Sequence, residues 1–199
     1  MVTANPVRIA ITGTHSTGKS TLLRRLEMEL RAVGHAVART TSSLAQKAAD
    51  MGFPKMHQQT ANTTRWIMSA GICAEMEATL TADVVLVDRS TIDPLAYYLA
   101  TLEHLEQPMH SEQVGELTTI ATAHAAGYDL LLATQLDPAV PLGPHRDRDP
   151  DYRARVDHHI HTILGQHAIP HTLVANTDTS RDAAIQAALQ ATVALAGAA

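Results

Sequence analysis

Eight residues constrain this chain more than any others: Gly13-Thr14-His15-Ser16-Thr17-Gly18-Lys19-Ser20. They match the spacing G-x-x-x-x-G-K-[ST] at every fixed position. The flanks agree with it. Val7 to Thr12 is a short, mostly apolar run suited to a buried strand. Downstream, Leu22, Leu23, Leu26 and Leu30 recur at helical spacing. Strand, glycine-bearing turn and helix together can cradle phosphate. Gly13 and Gly18 permit backbone conformations and a close approach that a Cβ forbids. The N–H groups of the loop and the helix N-terminus turn partial positive charge toward anionic oxygens. Within this cradle His15, Ser16, Thr17 and Thr21 surround the ligand, and Lys19 brings a mobile charge to the β- and γ-phosphates. The Ser20 hydroxyl is placed to ligate Mg²⁺. The expected ligand is a nucleoside triphosphate with its magnesium.

The rest of the chain alternates strands with helices. His35 to Thr41 reads as a second strand, and Ser42 or Ser43 caps a short helix that ends near Gly52. Residues 57–80 are helix-permissive throughout, with Trp66, Cys73 and Met76 among the side chains available for burial. Val84-Val85-Leu86-Val87-Asp88 is a continuous apolar strand closed by an acid. Asp93-Pro94 then supplies a cap and a first-turn proline for a helix reaching about Glu106. Ser111-Glu112 opens a helix ended by Gly127, and Leu130 to Ala133 is a fourth strand. A proline-rich surface loop spans 137–150, a helix runs over 151–166, and His171 to Val174 makes a fifth strand. A last helix from about Ser180 carries Ile185, Leu189 and Val193 along one side. This alternation predicts a single α/β domain over residues 1–199, with a mainly parallel five-stranded sheet and helices on both faces.

A length of 199 residues suits one such domain. The net charge of −5 argues against an extended nucleic-acid footprint, so recognition of phosphate falls to local arginine clusters. Cys73 is the single cysteine, which excludes an internal disulfide and fits a reducing, cytoplasmic setting. No opening secretory signal is recognised, and no run of about eighteen apolar residues could span a bilayer.

Downstream of the loop, Asp88 falls at the carboxyl end of a buried strand, where ligands bind in such sheets and an acid can hold Mg²⁺. Arg89 beside it is suited either to a substrate phosphate or to a neighbouring carboxylate. The segment Asp88-Arg89-Ser90 with Thr91 to Tyr98 resembles the Asp-Arg segment of P-loop kinases of nucleosides and nucleotides. The nearest branch is that of the nicotinamide riboside and deoxynucleoside kinases, often grouped with AAA-type ATPases. Residues 141–157 resemble that branch's arginine-bearing lid, placed here at about 138–156. The resemblance implies ATP- and Mg²⁺-dependent transfer of a γ-phosphate to a small acceptor, with Lys19, Asp88, Arg146 and Arg148 as the catalytic set. Arg153 and Arg155, on the helix after the lid, are further candidates. Such chemistry needs positioned cations more than covalent catalysis.

One departure from that family stands out. Similar kinases carry a carboxylate after the second strand, whereas this chain has Arg39-Thr40-Thr41 there. Three alternatives follow: Asp88 serves as the base, the acceptor is itself a phosphate and needs none, or acceptor activity has drifted. Arg39 becomes a candidate phosphate contact. Gln58, Gln59, Arg65 and Trp66 are candidate lining groups for the acceptor, since amides read base edges, indoles stack and guanidinium binds anions. The competing assignment puts Trp66 in the core and the glutamines in solvent. Thr134-Gln135-Leu136-Asp137 mimics a guanine-reading motif but lacks its lysine, which disfavours a GTPase switch. The group His158, His159 and His161 is read as solvated helix histidines, and Cys73 as buried. A regulatory ATPase acting on a protein partner is the rival to the kinase reading, and the Ala-rich C-terminal helix is a candidate homodimer face.

Overall fold

The computed structural model describes residues 6–41, 43–109, 111–140 and 149–196. Five strands form one all-parallel sheet: β1 (Val7–Thr12), β2 (Val37–Arg39), β3 (Val84–Asp88), β4 (Leu130–Thr134) and β5 (Thr172–Val174). Their spatial order is β2-β3-β1-β4-β5. The strand bearing the phosphate-loop sequence is therefore central, and its register sets Ile11 against Asp88 and Thr12 against Ala133. Both motif strands end at the same carboxyl end of the sheet.

Among the described residues seven helices cover the sheet: α1 (Lys19–Ala32), α2 (Leu44–Asp50), α3 (Ala61–Thr79), α4 (Ile92–His104), α5 (Glu112–Ala125), α6 (Pro150–Gln166) and α7 (Asp178–Ala196). The period-two alternation of the strands sorts the core into two halves. Ile9, Ile11, Val84, Leu86 and Leu132 face α1 and α7, meeting Leu22, Leu23, Leu26, Leu30, Ala184 and Ile185. Ala10, Val85, Val87, Leu131 and Ala133 face the other way, against side chains from α3 to α6. Burial on both sides explains why β1 and β3 read as continuous apolar runs. Leu26 is wholly buried in the first half, and its truncation to alanine would cost about 2–5 kcal/mol. The α/β architecture and parallel five-stranded sheet are as expected. Among the described residues no helix is long and apolar enough to cross a membrane.

Several local expectations are corrected. The regular part of β2 is only three residues. The long helix begins at Ala61, because the Thr60 side chain accepts from the Thr63 amide, and a separate 3-10 turn covers Met56–Gln58. The fourth helix starts at Ile92 with Thr91 before it, so Asp93 lies inside the first turn and does not cap it. In α7 the buried stripe includes Ala184, Ile185 and Ala188, and Val193 is exposed. Cys73 is exposed on α3, not buried, because α3 turns Met68 and Glu75 inward instead. His159 is buried, not solvated, and pairs with Glu103 at 2.8 Å.

Candidate active site

The loop after β1 takes the shape its glycines allow. Gly13 has φ +149°, and a Cβ there would collide with the Thr134 side chain at the end of β4. Gly18 has φ +86° and precedes α1 without a side chain to cap it, leaving the helix's N-terminal end open to the loop. Lys19 is buried, and its Nζ donates to the Thr14 carbonyl and to Thr17 Oγ1. Thr17 Oγ1 lies 2.7 Å from Thr134 Oγ1. Ser16, Gly18, Lys19, Ser20 and Thr21 line a cavity of about 220 Å³ that also contacts Asp88 and Arg89. These loop residues, together with the last residue of β3 and the one after it, converge on one concavity of phosphate size.

A second residue set fixes this loop from outside, and the sequence did not reveal it. Asp93 is buried and accepts from Thr12 Oγ1 at 2.7 Å, from the Gly13 amide at 3.3 Å and from the Ser90 amide at 3.0 Å. It ties the end of β1 to the turn after β3. Burial raises its pKa above the ordinary carboxylate value, against the opposing pull of Arg89 and Lys19. The signal that would have found it is the spacing Ser90-x-x-Asp93, a capping-box pattern in which the acid reaches back to the preceding amide.

His15 and Ser16 are held in turn by two aromatic and cationic partners. The Tyr97 hydroxyl accepts from the His15 amide at 3.1 Å and lies 3.1 Å from its Nδ1. Arg153, buried on α6, donates from Nε to the His15 carbonyl at 3.1 Å and from Nη2 to the Ser16 carbonyl at 3.0 Å. Desolvation lowers the pKa of this guanidinium, with Asp157, Tyr97 and Asp137 opposing. Arg155, by contrast, points away to Glu103 at 3.6 Å. Arg146 and Arg148 lie outside the described residues.

Asp88 is buried, and its Oδ2 sits 2.7 Å from Arg39 Nη2. Arg39 is thus paired across β2 and β3. Arg89 adopts φ +80°, with its guanidinium 3.4 Å from Asp93 and 5.6 Å from the Tyr97 ring centre. Burial works against its charge, but Tyr97, Asp93 and Asp88 outweigh burial and raise its pKa.

Asp88 and Arg89 also line a larger cavity, of about 550 Å³, which the loop residue His15 borders as well. Its walls include Leu44 and Ala45 from α2, Ile67, Met68 and Gly71 from α3, and Pro94 and Tyr97 from α4. Gln59 borders it, donating to Thr64 Oγ1 at 2.9 Å and to the Pro94 carbonyl at 2.8 Å. Glu75 is buried at its edge, paired with His124 at 2.8 Å and accepting from the Tyr128 hydroxyl at 2.9 Å. Three lining assignments from the sequence fail. Gln58 is exposed and outside this cavity, since the 3-10 turn points Gln59 inward instead. Arg65 makes a 2.6 Å surface ion pair with Glu116. Trp66 stacks on Phe53 with ring centres 5.9 Å apart and is not part of the lining.

A family model described as AAA domain matches residues 8–181, most of the chain. The chain belongs to that family. The phosphate loop and parallel sheet are accordingly those of a P-loop NTPase, a nucleotide-binding fold. No curated protein matches it by sequence. Among solved structures, it is similar to the crystal structure of NadR protein in complex with NR, at 16% identity and a TM-score of 0.69. That likeness covers 94% of this chain and 52% of the NadR chain, so this member of the AAA domain family spans about half the length of that protein. At such identity the likeness bears on the fold.

Proposed function

We propose that the chain transfers the γ-phosphate of ATP to a small acceptor, most simply a nucleoside or nucleotide. One observation carries this reading: Asp88 and Arg89 form a wall common to the phosphate-sized cavity and the larger, mostly apolar one. A donor phosphate in the first and an acceptor in the second would meet at these two residues. The NR named in the NadR structure makes a nucleoside the first acceptor class to test.

The chain's own groups have distinct duties in this proposal. Lys19 and the loop amides bind the donor's phosphates, and Arg153 holds the loop's backbone in position for them. The Ser20 hydroxyl and Asp88 carboxylate face the same cavity and are hard oxygen donors, a set that fits Mg²⁺. When bound, that ion would neutralise phosphate charge. Arg89 balances charge that builds on the transferred group, and Arg146 and Arg148 remain the proposed lid arginines.

In this reading the acid missing after β2 is replaced by a carboxylate from elsewhere in the site. Three carboxylates border the larger cavity: Glu75, Asp88 and Asp93. Glu75 is engaged by His124 and Tyr128, and Asp93 by the loop backbone. In this reading Asp88 keeps one carboxylate oxygen for the metal and, once its pairing with Arg39 opens, accepts a proton from an acceptor hydroxyl through the other.

The test is ADP release by purified protein with Mg-ATP across a panel of nucleosides and nucleotides, NR included. A kinase shows release that rises sharply with one acceptor class, and Lys19→Ala abolishes it without unfolding the chain. Slow release that no acceptor stimulates but a protein partner does would replace the kinase reading with that of a regulatory ATPase.

A further inference from the structure

Outside the linings of both cavities, three side chains from three separate elements converge. His57 lies in the 3-10 turn, His104 at the last position of α4, and Asp149 immediately before α6. Their ligand atoms all lie within 4.8 Å of one another, and no other trio of His, Cys, Asp or Glu among the described residues meets this way. His57 Nε2 is 3.9 Å from Asp149 Oδ2. The two imidazole rings are 4.7 Å apart, centre to centre, at 61°.

The cluster is built, not casual. Asp149 is oriented by its other oxygen, Oδ1, which accepts from the amides of Asp151 and Tyr152, each at 3.0 Å. The fully buried Tyr152 ring lies beside His57 at 4.1 Å and His104 at 6.2 Å, forming a floor. Its hydroxyl is anchored to the Tyr97 carbonyl at 3.1 Å and sits 3.0 Å from Thr101 Oγ1. Two imidazoles and one carboxylate on a rigid base are a donor set for a divalent transition metal, with nitrogen ligands that Mg²⁺ and Ca²⁺ do not favour.

We propose that His57, His104 and Asp149 bind one Zn²⁺-type ion, with a fourth position open to water. Tetrahedral bonds of about 2.0–2.2 Å require the three ligand atoms to close to about 3.5 Å. The exposed His104 is the side chain with room to turn inward. The ion would tie the 3-10 turn to α4 and α6. Met56 and Gln59, on either side of His57 in sequence, border the larger cavity, so the ion would brace one wall of it. This assignment does not depend on the kinase reading.

The experiment uses the full chain freed of metal with a chelator. Titration with Zn²⁺ by calorimetry, and with Co²⁺ by its visible absorption, should give one site per chain that excess Mg²⁺ does not displace. Nitrogen-15 spectra of the unmodified protein should show Zn²⁺ shifting the ring signals of His57 and His104 together. His57→Ala and His104→Ala should each weaken binding at least about tenfold, as loss of even a supporting group does at such centres. A His158→Ala/His161→Ala variant should bind as before. The proposal is overturned if no Zn²⁺ binds, if the shifted rings are those of other histidines, or if removing His104 leaves affinity unchanged.

Discussion

Arg39 Nη2 lies 2.7 Å from Asp88 Oδ2, so a side chain from the edge strand β2 engages the acid that the proposed chemistry needs. Asp88 is almost wholly buried, whereas Arg39 keeps about a third of its side chain in solvent. The guanidinium is thus the partner that can leave. Removing it frees the carboxylate for a metal ion while stripping a buried charge of its counterion. Arg39→Ala should lower Tm in the absence of ligand, by an amount worth about 1 kcal/mol after solvent screening. It should also lower the Mg²⁺ concentration that half-saturates ATP turnover. Thermal melts with and without Mg-ATP, and a Mg²⁺ titration of rate, measure both effects. An unchanged Mg²⁺ requirement would show that the pair does not compete with the metal.

Arg153 makes two hydrogen bonds to consecutive loop carbonyls from one planar group. Arg153→Met keeps the stem and removes both donors. KM for ATP should rise about tenfold, since misplacing the loop loses roughly 1.4 kcal/mol of binding, with little change in secondary structure. Arg153→Lys should not restore it, because an ammonium cannot span two acceptors as the guanidinium fork does. Steady-state kinetics with circular dichroism as the fold control will decide this.

Asp93 joins β1 to the turn after β3 through acceptor bonds alone. Asp93→Asn preserves its shape but directs an amide at groups that already donate. The expected cost is about 1–3 kcal/mol of unfolding free energy, together with weaker nucleotide binding. Chemical denaturation and calorimetry test the two halves. If stability falls and nucleotide affinity does not, the tie supports the fold without shaping the loop.

His159 supplies a pH dependence. Burial lowers its pKa below the ordinary 6.5, with the Glu103 contact pulling the other way. The folded state therefore binds this proton less readily than the unfolded chain does. Its contribution is full above pH 6.5 and is lost as pH falls from there through the folded value. His159→Gln should flatten the acid side of a plot of stability against pH in that window, measured by urea denaturation. A slope identical to that of the unsubstituted protein would assign the dependence to other groups.

Much of this molecule was legible in its sequence because its strongest signals are local. The strand, loop and helix from Val7 to Leu30 follow from glycine placement and two periodicities within one short stretch. The parallel sheet follows from their repetition. What escaped depends on contacts distant in the chain. Asp93 looked like a helix cap because propensity scores it by its neighbours, whereas its partners Thr12 and Gly13 lie 81 and 80 residues away. Arg65 and Gln58 had suitable chemistry for a pocket, but helix phase turned one to Glu116 and the 3-10 turn left the other outside. The trio His57, His104 and Asp149 had no shared motif at all. The histidines that are crowded in sequence, near position 160, form no such trio among the described residues.

The wall formed by Asp88 and Arg89 has a thermodynamic consequence of its own. Two ligands seated in the adjoining cavities would share the same charged pair, so their binding free energies cannot be independent. Whatever factor the first contributes to the affinity of the second, the second must return to the first. Measured in either order of addition, the synergy or antagonism between them must be the same number.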